Sequence, residues 1–104
     1  MDNAENDWAV EYRRTTHGFR VWSGRVTSFS LRGALLGPGG RNLRHMQRQA
    51  HVKIKLAMDP DGVEVLIHPC TESRVELVER LVLDLLSHQL ASIAGISNHD
   101  DADA

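Results

Sequence analysis

Three glycines and three arginines stand close together near the middle of this 104-residue chain. The glycines fall within four positions, at Gly37, Gly39 and Gly40. The arginines follow at once with the i, i+3, i+7 spacing of one helix face, at Arg41, Arg44 and Arg48. A glycine-rich turn lets a polyanion approach the backbone closely, a helix N-terminus offers unpaired N–H groups, and guanidinium groups supply charge. The pattern therefore predicts a site for a phosphate backbone.

A helix from Arg41 to about Ala50 would present these arginines to solvent. Leu43, Met46 and Ala50 repeat the arginine spacing two positions later. At about 100° per residue, the two sets fall on opposite faces, one apolar and one basic. A short helix over residues 31–36 leads into the glycine turn from the other side.

The charges are sorted along the chain, although the net charge is only −2. The segment from Arg13 to Lys55 holds ten of the twelve basic residues and none of the fourteen acids. Forty-three residues without an acid predict a basic face on the folded domain, and such a face suggests a polyanionic partner. A solvated surface with clustered charges is the alternative interpretation.

Alternation and turn chemistry predict the remaining elements. A β-hairpin is expected in residues 8–25, and its turn at Thr15-Thr16-His17-Gly18. Three further strands are expected, at Val26–Phe29, His51–Leu56 and Val63–His68. The last element is an amphipathic helix that begins with a capping box of Ser73 and Glu76 and ends at Gly95.

The run from Gly33 to Leu56 resembles the core of a KH domain, in which a glycine, a G-x-x-G loop, a helix and a strand follow in this register. Gly37-Pro38-Gly39-Gly40 falls on the loop, and Lys53-Ile54 on a basic–aliphatic pair of the following strand. The resemblance implies an α+β fold of type I topology: a three-stranded antiparallel sheet packed against three helices in the order βααββα, with an extra N-terminal hairpin strand. The expected organisation is a disordered lead (1–7), a hairpin extension (8–25), the KH domain (26–95) and a flexible acidic tail (96–104).

The resemblance also implies binding of single-stranded RNA, or single-stranded DNA, with the loop clamping about four nucleotides. Gly37 and Gly40 would allow close backbone approach, and the arginines would hold phosphates. Leu36, Leu43 and Ile54 would form an apolar floor for bases, although the same residues suit a plain core. Lys53 would reach a base edge or a sugar. The implied nucleic-acid-binding residues are Leu36, Gly37, Pro38, Gly39, Gly40, Arg41, Arg44, Arg48, Lys53 and Ile54.

Two positions depart from the family pattern. The variable loop positions usually include a basic residue, but here they are Pro38 and Gly39, and Pro38 has no N–H. His51 stands where the family often has a glycine that closes the second helix, and histidine tolerates that left-handed conformation. A degenerate loop leaves a second hypothesis open, a protein-interaction module that docks partners on its last helix.

Other chemistry finds little support in the sequence. Six histidines and one cysteine, Cys70, include no CxxC or HxxxH pair, and no Gly-Lys-Ser/Thr follows the glycines as in a mononucleotide-binding loop. We therefore expect no enzyme activity, no metal and no cofactor. A single cysteine, a polar acidic start and the absence of a long apolar run suggest an intracellular protein, cytoplasmic or nuclear, without membrane contact. Because one such domain contacts few nucleotides, we expect protein partners or self-association to add avidity.

Overall fold

The computed structural model describes residues 10–24 and 26–93, so the predicted lead (1–7) and acidic tail (96–104) lie outside the described residues. Four strands and three α-helices make up this part of the chain. They are β1 (Val10–Thr15), β2 (Gly18–Ser23), α1 (Ser28–Leu36), α2 (Arg41–Ala50), β3 (Ile54–Asp59), β4 (Gly62–Ile67) and α3 (Glu72–Ile93). A short 3-10 turn over Pro38–Gly40 joins α1 to α2.

The strands form one antiparallel sheet in the order β1-β2-β4-β3. From β2 onward the elements follow the predicted βααββα order, and β1 is the predicted extra hairpin strand. The predicted fold class is therefore confirmed. The hairpin shares the sheet with the later strands, since Phe19 of β2 lies opposite Val65 of β4. The domain limits proposed at residues 8–25 and 26–95 remain predictions.

The strand predicted at Val26–Phe29 is wrong, because α1 already begins at Ser28. Thr27 caps this helix: its side-chain oxygen accepts a hydrogen bond from the Ser30 N–H at 3.1 Å. Leu31 and Leu35, one turn apart, are fully buried and fix the helix on the core. The second hairpin strand takes the sheet position that was assigned to residues 26–29.

The core lies between one face of the sheet and the three helices. Its members alternate along β2 and β4, as expected for strands with one buried face. The buried sheet residues are Phe19, Val21, Ile54, Val63, Val65 and Ile67, and the buried helix residues are Leu31, Leu35, Met46, Ala50, Val78, Val82 and Leu86. Glycine is required at position 18, where β2 begins beside β4, since a Cβ there would lie 1.9 Å from the Val65 carbonyl oxygen.

The predicted capping box at the start of the last helix is also wrong. The helix α3 begins at Glu72, and Thr71 precedes it as the cap, with its hydroxyl accepting from the Arg74 N–H at 3.4 Å. Arg14 of β1 holds this end of α3 through ion pairs with Glu72, at 2.7 Å, and with Glu79. The predicted helix end at Gly95 lies outside the described residues.

The third strand begins later than predicted because His51 ends α2 in the left-handed conformation, with φ 54° and ψ 47°. Its N–H donates to the Gln47 carbonyl oxygen, which closes the last helical turn. The tolerance for histidine expected at this position is confirmed. Lys53 therefore lies in the connection before β3, not within the strand.

Candidate nucleic-acid interface

The glycine loop that follows α1 has a backbone conformation that residues with a Cβ rarely adopt. Gly37, Gly39 and Gly40 have φ values of 71°, 60° and 79°. A Cβ on Gly37 would also lie 2.5 Å from the Asn42 side chain, whereas the space around Gly39 is open. The loop thus presents an uncovered backbone at Gly39 and a packed one at Gly37.

Asn42 fixes the two sides of the loop to each other. Its side-chain Nδ2 donates to the Ala34 carbonyl oxygen at 3.0 Å, which joins the first turn of α2 to the last turn of α1. This role of Asn42 was not predicted from the sequence. Its only signal is an asparagine in the first turn of a helix, where a side chain that bonds to backbone is typical.

The backbone N–H groups at the start of α2 are less available than the sequence suggested. The Gly40 N–H donates to the Gly37 carbonyl oxygen at 3.0 Å, and the Arg41 N–H donates to that of Pro38. Pro38 itself has no N–H. An anion at this loop would therefore find two backbone donors already bonded, and the exposed arginine side chains offer further donors.

The three predicted arginines are exposed on α2, and the residues on the opposite face, Met46 and Ala50, are buried. Arg44 bends back over the loop, where its guanidinium donates to the Gly39 carbonyl oxygen at 2.6 Å. Arg44, Arg48 and Lys53 also border one recess at the C-terminal end of α2. The structure thus brings these three predicted residues to one surface, and Arg41 lies beside the loop.

The predicted apolar floor is divided between core and surface. Leu36 and Leu43 are partly buried at the two sides of the loop, so part of each is accessible. Ile54 is only 4% exposed and belongs to the core. On the same face of β3, Leu56 is partly buried and Met58 is 50% exposed, so the accessible apolar surface continues along this strand.

Phe29 is an exposed aromatic residue on the same side of α1 as the loop entrance. It is 72% exposed and stands at i, i+4 and i+7 with Gly33 and Leu36, which places the three on one helix face. Phe29 was not predicted as a surface residue of this site, because the strand expected at Val26–Phe29 included it. The threonine cap at Thr27 was the signal that α1 begins early enough to include Phe29.

The shifted pKa values belong to ion pairs that hold elements together. The hydrogen bond from Arg20 lowers the pKa of Asp59 to about 2, and backbone bonds from Asp61 and Gly62 act in the same direction. The hydrogen bond from Arg14 lowers the pKa of Glu72. These groups lie on the sheet and at the start of α3, away from the glycine loop.

Metal ligands and membrane spans were considered over the same part of the chain. Within residues 10–24 and 26–93, no three His, Cys, Asp or Glu side chains form a group that could hold a metal ion. None of the helices described has both the length and the apolar character needed to cross a membrane.

A family model described as "KH domain" matches residues 28–84, from the start of α1 into α3. This segment is more than half of the chain. Searches of curated proteins and of solved structures gave no match.

Proposed function

This chain belongs to the KH domain family, and from that membership we propose that it binds single-stranded nucleic acid, RNA in particular. The family generally binds single-stranded nucleic acid and is generally not catalytic. In this proposal the glycine loop and the basic face of α2 hold the phosphate backbone. The bases lie against the accessible parts of Leu36, Leu43 and Leu56.

The observation that carries the proposal is the exposed glycine loop followed by a row of arginines. Among the described residues, no atom beyond its chain neighbours lies within 4 Å of the place that a Cβ on Gly39 would take, so a phosphate can approach the backbone from that side. Arg41 and Arg44 are exposed within one turn of the loop. Guanidinium groups present several N–H donors in a fixed plane, which suits phosphate oxygens. Close approach and charge are thus available at one place.

Pro38 makes the proposed binding depend more on side chains than on the loop backbone. It supplies neither a charge nor an N–H at a loop position where the family usually has a basic residue. Because the Gly40 and Arg41 N–H groups are bonded within the loop, Arg41 and Arg44 supply the phosphate contacts in this proposal. Affinity should therefore be electrostatic and depend strongly on salt.

The alternative, a protein-interaction module that docks partners on the last helix, has less support. Such docking would be favoured by an exposed apolar strip on α3. Among the side chains that the structure describes, the exposed large apolar ones are Tyr12, Phe29 and Met58, none of which lies on α3. The apolar residues of α3 up to Leu86 are buried or partly buried.

The decisive test replaces Pro38 and Gly39 together by aspartate. Both are exposed, and Gly39 has φ 60° and ψ 20°, a conformation that aspartate tolerates better than most residues. We expect this variant to fold and to lose binding to a pool of short single-stranded RNAs, because two carboxylates would repel the phosphates. Fluorescence anisotropy would measure affinity, and circular dichroism would check the fold.

The matched control places two aspartates on α3, at the exposed positions Ser87 and Gln89. It changes the net charge equally and leaves the loop intact, so we expect it to bind RNA nearly as the original protein does. Equal affinity of the loop variant and this control would refute the proposed site.

A further inference from the structure

We propose that a basic recess beside the glycine loop binds the phosphates of nucleotides that flank those held at the loop. This inference rests on the proposed function and extends it to a longer strand. The recess has a volume of about 770 Å³ and lies where α2 ends and where the connections α2–β3 and β4–α3 meet. Its basic and imidazole side chains come from both connections and from two helices: Arg44, Arg48, His51, Lys53, His68 and Arg74.

The charge of the recess is of one sign. No aspartate or glutamate stands among the residues that line it. The acid next to it in the chain, Glu72, is paired with Arg14 at 2.7 Å on the other side of the β4–α3 connection. Its negative charge is therefore largely offset, and the guanidinium and ammonium groups dominate the local potential.

The walls of the recess are held in place by two hydrogen bonds to the α2–β3 connection, one from the β4–α3 connection and one from α3. The His68 N–H donates to the Lys53 carbonyl oxygen at 3.0 Å, and the Arg74 guanidinium donates to that of His51 at 2.8 Å. One bond leaves further guanidinium N–H groups on Arg74, since the group carries five. Arg74 is exposed in the first turn of α3, so these donors can face an anion.

Continuity with the loop identifies the occupant. Arg44 borders the recess and also donates to the Gly39 carbonyl oxygen, so one side chain spans both surfaces. A strand that leaves the loop along α2 would pass Arg44 and Arg48 before it reaches Lys53 and Arg74. The ten residues of α2 extend over about 15 Å, so nucleotides beyond those at the loop can follow this helix to the recess.

The test compares a four-nucleotide and an eight-nucleotide RNA that share the same central sequence. We expect the octamer to bind more tightly and with a steeper salt dependence, because its extra phosphates meet the recess. The variant Arg74→Ala should weaken octamer binding about three- to tenfold and reduce the octamer's salt slope by about 0.7, the value of one phosphate contact on a single strand. Tetramer binding should not change.

The control Arg80→Ala removes another exposed arginine of α3, one that does not line the recess, and it should change neither affinity. Because Arg74 also bonds to His51, His68→Glu serves as a second variant. It places an acid in the recess with that bond intact, and it should likewise weaken the octamer alone.

The possible results distinguish failure of the recess site from failure of the proposed function. Equal affinities and salt slopes for the two lengths would overturn it while leaving the loop site standing, and so would equal losses for both lengths in the two variants. If neither RNA bound to the unmodified protein, the proposed function itself would fail.

Discussion

Two residues outside the glycine loop, His51 and Phe29, are in energetically unfavourable states in the free protein. His51 adopts the left-handed conformation at the end of α2, which costs an L-amino acid roughly 1–2 kcal/mol relative to ordinary backbone conformations. Phe29 keeps a large apolar ring in water, although burial would be favourable. Both features carry a cost in the free protein. His51 lines the recess, and Phe29 shares a face of α1 with Leu36, which we propose contacts bases.

Replacing His51 by glycine should stabilise the fold. Glycine adopts positive φ without the Cβ penalty, so we expect the free energy of unfolding to rise by up to about 1 kcal/mol. Urea denaturation followed by circular dichroism would measure the change. His51→Ala is the matched control. It should lower stability, because alanine has the Cβ penalty and tolerates the left-handed conformation less well than histidine. A glycine variant no more stable than the alanine variant would contradict the assigned backbone strain.

Replacing Phe29 by alanine should weaken RNA binding without unfolding the domain. A base stacked on an aromatic ring contributes about 1–3 kcal/mol, so the dissociation constant should rise at least about fivefold. The free energy of unfolding should hardly change, because the ring is 72% exposed. Phe29→Tyr keeps the ring and should keep the affinity. Unchanged binding in the alanine variant would place the bases elsewhere.

At the scale of elements, short polar contacts set the positions of α1, α2 and the sheet. Asn42 joins α1 to α2, and Arg20 of β2 reaches across β4 to Asp59 at the end of β3, at 2.9 Å. Asp59 also accepts the N–H groups of Asp61 and Gly62 and so forms the β3–β4 turn. One carboxylate thus links three strands.

The stability of this turn should depend on pH in the acid range. Asp59 has a pKa of about 2 in the folded protein against an ordinary value of 3.8, so its charged form is favoured by folding. The stabilisation is complete above the ordinary pKa and is lost as the pH falls from about 4 to 2. Asp59→Asn keeps an acceptor for the turn and removes the charge. We expect this variant to be less stable at pH 7 and to lose less stability on acidification, as measured by urea unfolding at several pH values.

The control Asp84→Asn removes an exposed carboxylate of α3 that has no ion pair among those found in the described residues. Its acid profile should follow that of the unmodified protein. The same profile for Asp59→Asn would show that the pair with Arg20 adds nothing to folding.

Over the whole molecule the net charge is small, but the basic residues are concentrated in one segment that includes the loop and α2. The ten basic residues between Arg13 and Lys55 include those at the loop and on α2, whereas α3 carries most of the acids among the described helices. Two basic residues of this segment, Arg14 and Arg20, are paired with acids and do not add to the free charge. The local field at the interface therefore exceeds what the net charge of −2 suggests.

Removing Arg41 and Arg44 together should lower the affinity for all RNA sequences about equally. We expect the salt slope to fall by about 1.4, because two phosphate contacts of about 0.7 each would be lost. Binding isotherms between about 50 and 200 mM salt would measure the salt slope of the affinity. The control is the pair Arg13→Ala and Arg80→Ala, two exposed arginines outside the interface, which should leave the slope nearly unchanged. A loss confined to some sequences would mean that the arginines contact bases instead.

Most of the architecture could be predicted from local patterns. The turn at Thr16-His17, the helix after the glycines and the alternation of β4 follow from residue types at short spacing. The start of α1 was harder to predict, because Val26, Thr27 and Phe29 are residue types common in strands. Only the cap at Thr27 and the burial of Leu31 and Leu35 favour the helix. The recess was beyond sequence reasoning because Arg74 meets Lys53 and His51 only after the sheet has formed.

The bond between Arg44 and the Gly39 carbonyl has a thermodynamic consequence. A free surface arginine gives up about 1.5–2 kcal/mol of rotational freedom when it is immobilised. Arg44 is already restrained at 2.6 Å in the unbound domain, so folding has met part of that entropic cost before any ligand arrives. In the proposed complex, exchanging this carbonyl for a phosphate oxygen would reorient one guanidinium instead of ordering a whole side chain, which lowers the entropic cost of binding.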